Sequence, residues 1–267
     1  MKALNTTIGP LGEKFFNFCG HIYRSSILTK DILFWLLIAP FRGKRIRWHS
    51  TFEQMVRIGV DSLPIVGMIS FFVGLIMAMQ GAYQLKPFGV VIYVANLVGV
   101  TITRELGPML TAIIVAGRSG SAIAAEIGTM KVAEEIDALK TMGLNPIGFL
   151  VLPRILALLI VLPCLTILSD LIGIGGGFFI AVFSLKLPFI AYLNQSINAL
   201  VMKDLVTGLI KSVFFALIIG QVGCYEGFGV KGGAEGVGRS TTASVVISIF
   251  MIITADVIFT ALFFSTF

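Results

Sequence analysis

The chain has 267 residues, of which 57% are hydrophobic and only 13% are charged, and its mean hydropathy is +0.97. Soluble globular domains carry roughly 25% charged residues, so this composition excludes a water-soluble globular fold. The apolar runs are continuous rather than alternating, which argues against a transmembrane β-barrel. The sequence therefore predicts an all-α membrane protein with several transmembrane helices.

The first 59 residues are more polar and more basic than the rest of the chain. An apolar stretch at 32–39 has eight residues, whereas a transmembrane helix needs about 20. We expect it to lie along the membrane interface, where indole rings such as that of Trp35 concentrate. The basic residues behind it are expected to contact anionic lipid rather than nucleic acid: Arg42, Lys44, Arg45 and Arg47. This pattern predicts a cytoplasmic, interfacial segment over 1–59 with one interfacial helix.

Five longer apolar segments follow and predict five transmembrane helices. They cover about residues 60–83, 91–116, 149–183, 205–223 and 243–264. The third is too long for one plain span and too short for two, and it contains Pro153, Pro163 and a glycine cluster at 173–177. A long helix that is kinked or broken fits it best. Residues 60–267 are thus predicted to form one transmembrane domain.

The distribution of lysine and arginine predicts the orientation of this domain. Of the 20 basic residues, fifteen fall in segments on the same side of the membrane as the N-terminus, and three fall on the opposite side. Because basic residues concentrate in cytoplasmic loops, we expect the N-terminus in the cytoplasm. With five spans, the C-terminus then lies on the outer face.

Four charged residues fall inside the predicted spans, where charge is costly and usually functional. They are Arg104 and Glu105 in the second span, Lys211 in the fourth and Asp256 in the fifth. Neighbours on an α-helix do not face each other, so we expect Arg104 and Glu105 to find partners on other helices. The predicted cluster pairs Glu105 with Lys211 and Arg104 with Asp256. Two interpretations stay open: the pairs lock the bundle together, or they take part in transport.

The segment between the second and third spans has the most distinctive pattern in the chain. After a run of small residues, Ile136, Leu139 and Met142 recur at helical spacing among charged residues. Gly143 and the following Asn-Pro pair predict the end of this helix. We expect a helix over about 124–144 on the cytoplasmic side. It is either an ordinary solvated helix or one whose apolar ridge docks into a groove of a partner.

Several motifs together resemble the MlaE (YrbE-like) permease family of ABC transporters. They are TRELGP at 103–108, AGRSGSA at 116–122, AEIG at 125–128, MGLNP at 142–146, LPR at 152–154, LIKSVF at 209–214 and ADVIFTA at 255–261. The segment between the second and third spans looks like the coupling helix of ABC importers, which is the helix that docks on the ATPase. The resemblance covers about residues 50–267.

The resemblance implies a permease of the bacterial inner membrane that works as a homodimer with two cytoplasmic ATPase subunits and a periplasmic MCE-domain protein. Such permeases move phospholipids or related lipids and leave ATP and Mg²⁺ to the partner ATPase. On this reading the residues that couple to the ATPase are Glu126, Glu134, Glu135, Leu139, Met142 and Gly143. A lipid cavity between the two copies is expected to be lined by Val73, Met77, Gln80, Tyr83 and Leu97. Val73 and Met77 could equally be packing residues.

Other functional classes fit the sequence less well. The stretch 233–240 resembles a phosphate loop only if Arg239 replaces the usual lysine, and a true phosphate loop follows a buried strand; we expect no nucleotide or metal site in this chain. An intramembrane enzyme would need a nucleophile with a base, or a metal, and no such motif is present. An ATP-independent channel or secondary transporter that uses the four intramembrane charges is the main alternative.

Overall fold

A computed structural model describes residues 20, 26–35 and 47–266, with side chains as far as 263. These residues contain no strand, and five of their helical stretches are long and apolar enough to cross a membrane. The predicted all-α fold with five spans is therefore confirmed. The spans are Trp48–Phe88, Val91–Val132, Ile147–Phe183, Met202–Phe228 and Gly233–Phe263.

The helices are labelled in chain order. Helix α1 covers residues 26–35 and precedes the first span. The first span contains α2 (Trp48–Gly59) and α3 (Leu63–Leu85); the second contains α4 (Val94–Thr101), α5 (Gly107–Val115) and α6 (Ser121–Val132). Helix α7 (Glu135–Thr141) leads to α8 (Leu152–Phe183) in the third span. Helix α9 (Phe189–Ala199) leads to α10 (Met202–Phe228) in the fourth, and α11 (Gly233–Thr266) is the fifth. We call the two ends of the bundle the α7 end and the α9 end.

Three short π-helical turns interrupt the α-helices of the second and third spans. They are Ile102–Leu106, Ala116–Gly120 and Ile147–Val151. A π-turn adds one residue to a helical turn, and such turns are frequent at functional sites. The first of them contains two of the four intramembrane charges.

The third span is as long as predicted, but the broken alternative is wrong. Helix α8 runs without interruption from Leu152 to Phe183 with Pro163 inside it. Because Pro163 lacks an N–H, the helix loses one backbone hydrogen bond there. Helix α9 follows it and has no counterpart in the sequence prediction, which left residues 184–204 outside any element.

Helices α3 and α8 approach each other closely because glycines lie at their crossing. A Cβ added at Gly176 would lie 2.2 Å from the Phe71 carbonyl oxygen, and one added at Gly74 would lie 1.8 Å from the Gly173 carbonyl oxygen. A hydrogen bond of 2.7 Å between the hydroxyls of buried Ser70 and Ser169 joins the same two helices. Small residues and hydroxyl contacts are the usual means of packing transmembrane helices.

The described part of the N-terminal segment packs on the bundle more closely than the sequence predicts. This segment contains helix α1, at residues 26–35. Its Leu28 and Ile32 are 8% and 4% exposed and belong to the main hydrophobic core. The Arg47 guanidinium lies 3.9 Å from the centre of the Phe149 ring. The other predicted basic residues, Arg42, Lys44 and Arg45, lie outside the described residues.

Candidate functional site

The intramembrane charges meet around the ammonium group of Lys211, which is 1% exposed. Its Nζ donates a hydrogen bond to Glu105 and forms an ion pair of 2.9 Å with Asp256. It also donates to the Thr260 hydroxyl at 2.8 Å, and that hydroxyl donates to Glu105 at 3.1 Å. The predicted contact of Glu105 with Lys211 is therefore present. One ammonium joins two carboxylates from the second and fifth spans.

The predicted pairing of Arg104 with Asp256 is wrong. Because Lys211 already holds Asp256, the Arg104 guanidinium pairs instead with Asp204 on α10, at 3.8 Å. Asp204 lies in the first turn of α10, where its side chain also accepts a hydrogen bond of 3.4 Å from the Val201 N–H. The two acids and bases of the second and fourth spans thus form a ladder of two ion pairs.

Backbone geometry explains why the adjacent residues Arg104 and Glu105 can each form an ion pair with α10. Arg104 and Glu105 lie in the π-turn Ile102–Leu106, whose wider winding changes the angle between successive side chains. Asp204 and Lys211 lie seven residues apart on α10, which places them on one face. Gly208 lies between them, and a Cβ there would be 2.2 Å from the Thr103 carbonyl oxygen. The glycine therefore lets α10 touch the backbone of the π-turn.

Two members of this network were missed by the sequence analysis. Asp204 was assigned to the loop before the fourth span, and Thr260 carries no charge. The spacing could have found both, because Asp204 is seven residues before Lys211 and Thr260 is four residues after Asp256. Such spacings place side chains on one helix face.

The network is only partly covered within a single chain. The side chains of Arg104 and Glu105 are 36% and 31% exposed, whereas those of Lys211 and Asp256 are 1% and 13% exposed. Charged groups in a membrane almost always face a bundle interior or a water-filled cavity. This side of the second span therefore needs protein or water against it rather than lipid.

The predicted helix over 124–144 is two helices. Helix α6 continues the second span as far as Val132, and α7 begins at Glu135 after a turn in which Glu134 adopts a left-handed conformation with φ 60°. Two members of the predicted apolar ridge, Ile136 and Leu139, are 2% and 8% exposed and pack in the main core. They hold α7 against the bundle and do not face outward.

The outward surface of the α7 end is acidic on one side and apolar on the other. Glu134 and Glu135 are exposed at the start of α7. Met142 is 65% exposed and Leu144 is 41% exposed just after its end. Gly143 makes that end possible with φ 75°, because the left-handed conformation favours glycine, and the Leu144 N–H bonds back to a carbonyl of α7. We call these five residues the α7 surface.

Helix α7 is braced against α6 by charge. Asp137 pairs with Lys131 of α6 at 2.9 Å and with Lys140 of its own helix at 2.8 Å. Hydrogen bonds from Lys140 and Lys131 lower the pKa of the Asp137 carboxyl to about 2. The carboxylate therefore stays ionised throughout the physiological range.

Glu126, one of the predicted coupling residues, is not part of the α7 surface. It lies on α6, and its carboxylate accepts a hydrogen bond from Arg57 of α2 and one of 3.0 Å from Arg154 of α8. Arg154 also donates to the Leu150 carbonyl oxygen at 2.7 Å. The structure therefore places Glu126 of α6 between α2 and α8, at the base of the α7 end.

Of the five predicted cavity residues, two are exposed and three are half-buried. Gln80 and Tyr83 are exposed, and Tyr83 is 81% exposed. Met77 packs against the small core cluster formed by α3 and α4, and Leu97 packs beside Gly81, with its Cδ2 atom 3.5 Å from where a Cβ on that glycine would be. Val73 is half-buried. Met77 and Leu97 thus contribute to packing within one chain.

The glycine-rich stretch from 233 to 240 forms the first turns of helix α11. It therefore lacks the open loop conformation that wraps a phosphate. Among the residues that the structure describes, no group of three or more His, Cys, Asp and Glu side chains could hold a metal ion.

Known proteins resemble this chain over most of its length. The family model described as Permease MlaE matches residues 51–262. A probable ABC transporter permease protein of Rickettsia prowazekii is 43% identical over 79% of this chain and 82% of its own length. One of Synechocystis is 39% identical over 78% of this chain and 79% of its own length. The chloroplastic protein TRIGALACTOSYLDIACYLGLYCEROL 1 of Arabidopsis thaliana is 36% identical over 86% of this chain and 65% of its own length.

Proposed function

Because the chain belongs to the MlaE family of ABC transporter permeases, we propose that it is the membrane subunit of a lipid transporter driven by a separate ATPase. Its substrate is a phospholipid or a related lipid. It moves this lipid between the inner membrane and a periplasmic assembly that contains an MCE-domain protein.

The observation that carries the proposal is the α7 surface on a chain of the permease family. An exposed acidic helix start beside the exposed apolar Met142 and Leu144 suits the helix-in-groove contact that a motor subunit offers. The buried Ile136 and Leu139 keep α7 on the bundle, so that a push on its outer face reaches the spans. ATP and Mg²⁺ are bound by the ATPase in this proposal, and this chain is not itself an enzyme.

A lipid substrate is supported by a relative and by the distribution of apolar surface. The Arabidopsis relative is named after trigalactosyldiacylglycerol, which is a glycolipid. In an apolar stretch of 18 residues within each span, 11% of the residues of the fifth span and 28% of those of the first are buried, against 50% for each of the other three. These two spans therefore offer the apolar surface that acyl chains need, beside the exposed Gln80 and Tyr83.

A homodimer accounts for the partly covered charges. Glu105 and Arg104 are about one-third exposed beside the fifth span, and bare lipid there would be costly. A second copy placed against the first, second and fifth spans covers these charges or encloses them with water in a shared cavity. Of these three spans, the first carries Val73, Met77, Gln80 and Tyr83, and the second carries Leu97.

The orientation follows from charge. The α7 end carries most of the basic residues, so we place it in the cytoplasm of a bacterium, within reach of the ATPase. The α9 end and the C-terminus then face the periplasm, where the MCE-domain protein binds.

Reconstitution tests this proposal. The chain, its ATPase and its periplasmic partner are placed in phosphatidylethanolamine–phosphatidylglycerol vesicles with a fluorescent phospholipid. We expect transfer of the labelled lipid to depend on ATP, and the purified complex to contain two copies of this chain and two of the ATPase. Transfer by the chain alone, without ATP, would instead support the secondary transporter.

A variant links this transfer to the α7 surface. Glu135→Lys reverses an exposed charge at the start of α7 and should weaken binding of the ATPase. Glu53→Lys makes the same change on the exposed surface of α2 and is the control. If both variants retain the ATPase equally, the α7 surface is not the docking site.

A further inference from the structure

The strongest unassigned feature is a set of ion pairs at the base of the α7 end. The Glu126 carboxylate holds Arg57 with one oxygen and Arg154 with the other. Arg57 is in the last turn of α2, in the part of the first span nearest the α7 end, and Arg154 is in the first turn of α8, near the start of the third span. One side chain of the second span therefore fixes the α7 ends of both neighbouring spans.

The two ion pairs of Glu126 differ in burial, and this difference would let one of them open while the other stays closed. The Arg154 side chain is 9% exposed and is held additionally by the Leu150 carbonyl, whereas the Arg57 side chain is 57% exposed. A cavity of about 230 Å³ lies beside Arg57 and Glu126. The Arg154 contact is thus the fixed side of the set, and the Arg57 contact has room to open.

A second ion pair, close to Arg57, holds the first span against the second. Arg118 pairs with Asp61 at 2.8 Å and donates to the Ser62 hydroxyl at 3.0 Å. It also donates to the Arg57 carbonyl oxygen at 3.2 Å. The backbone of Arg57 is therefore held by the second span independently of its own side chain.

The Glu126 set is also connected to α7. Glu126 lies five residues before Lys131 on α6, which is about 7.5 Å along a helix. Lys131 holds Asp137 of α7 at 2.9 Å. A rigid helix with ion pairs at its middle and at one end transmits displacement, because charged partners must move together or separate at a cost.

We propose that Glu126 is a positioning residue that couples α7 to the first and third spans, so that a displacement of α7 moves both spans together. This inference rests on the proposed function, since it assumes an ATPase that displaces α7. In this proposal Glu126 acts through Arg57 and Arg154 and not by contact with the ATPase.

The test measures the coupling ratio, which is the number of lipids transferred per ATP hydrolysed by the complex in the vesicles described above. Glu126→Gln removes the charge and keeps the shape. We expect complex assembly and maximal ATP hydrolysis to persist and the coupling ratio to fall roughly 2- to 30-fold, the range for residues within a coupling network. Glu53→Gln on α2 is the matched control and should leave the ratio unchanged.

A double-mutant cycle separates coupling from general damage. Arg57→Gln should lower the ratio by itself, because this exposed side chain can be replaced without unfolding the chain. In the Glu126→Gln background the same change should have no further effect, since the contact is already lost. If Glu126→Gln fails to assemble, the Arg57→Gln ratio alone decides.

Two outcomes overturn the proposal, and they can be told apart. An unchanged ratio in Glu126→Gln and Arg57→Gln, in a complex whose wild type transfers lipid with ATP, contradicts the coupling role alone. So does additive loss in the double variant. A wild-type complex that hydrolyses ATP without any lipid transfer contradicts the proposed function and this inference together.

Discussion

At the scale of single residues, the buried ammonium of Lys211 stabilises the bundle by joining the second, fourth and fifth spans. Breaking a buried ion pair leaves uncompensated charge and typically costs about 3–5 kcal/mol. We expect Lys211→Met to lower the thermal stability of the detergent-solubilised chain sharply, because Glu105 and Asp256 then lie near each other without the cation that they share. Size-exclusion chromatography after stepwise heating measures this loss.

The neutral triple variant is the matching control. Lys211→Met with Glu105→Gln and Asp256→Asn removes all three charges and should recover most of the lost stability. Its lipid transfer then distinguishes the two open interpretations: transfer at wild-type rate makes the cluster a structural lock, and loss of transfer in a stable chain gives it a part in transport. A simple exchange of Glu105 and Lys211 is less informative, because it places a second carboxylate against Asp256.

The residue scale also shows how far sequence reasoning reaches. The four intramembrane charges are identifiable because charge is rare in the spans, and the Glu105–Lys211 contact is predictable from that alone. Spacing alone places Asp204 on the same face of α10 as Lys211, but its pairing with Arg104 depends on the π-turn at Ile102–Leu106. Nothing in the residue types marks such a turn, so helical spacing beyond it gives the wrong face.

At the scale of helices, the crossing of α3 and α8 depends on Gly176. Gly176→Ala would press a methyl group against the Phe71 carbonyl oxygen, and overpacking of this kind costs about 1–3 kcal/mol. The neighbouring Gly175 has nothing within 4 Å of an added Cβ. There the same substitution should stabilise α8 by about 0.5–1 kcal/mol, because alanine favours the helix.

Thermal unfolding of the two variants in one detergent makes the comparison. Equal midpoints for Gly175→Ala and Gly176→Ala would show that α3 and α8 do not pack as described.

Helix α7 provides a pH-dependent test. The pKa of Asp137 is about 2, below its ordinary value near 3.8, so its contacts with Lys140 and Lys131 stabilise α7 fully above pH about 4. This contribution is lost as the pH falls through about 2. Amide hydrogen exchange in 135–141 should therefore be constant from pH 7 to 4, after correction for intrinsic rates, and Asp137→Asn should accelerate it. Equal exchange in the variant would contradict the bracing of α7.

The sequence predicts the transmembrane spans better than it predicts the shorter helices between them. Apolar length located all five spans, yet α6 and α7 were predicted as one helix over 124–144. The break requires a non-glycine residue, Glu134, with positive φ, which is uncommon and has no composition pattern. Helix α9 was missed for a different reason: its 11 residues are too few to span a membrane, so hydropathy does not single it out.

At the scale of the whole molecule, the proposed orientation can be tested from outside the cell. Met142, at the α7 end, and Phe88, at the α9 end, are 65% and 77% exposed. We expect a cysteine at Phe88 to react with a membrane-impermeant maleimide in intact spheroplasts. A cysteine at Met142 should react only after permeabilisation. The reverse labelling would show that the α7 end lies outside the cytoplasm, where the ATPase could not bind the α7 surface.

The ladder of charges between α10 and the second span has a consequence for how the chain is made. During synthesis the fourth and fifth spans reach the bilayer after the second, and each brings a charge that costs about 2.5–3.5 kcal/mol at the centre of a lone inserted helix. Neither Lys211 nor Asp256 finds its partner within its own span. The fourth span must therefore stay near the second until Lys211 meets Glu105, and Asp256 of the fifth span enters the bilayer when the ammonium that it pairs with is already in place.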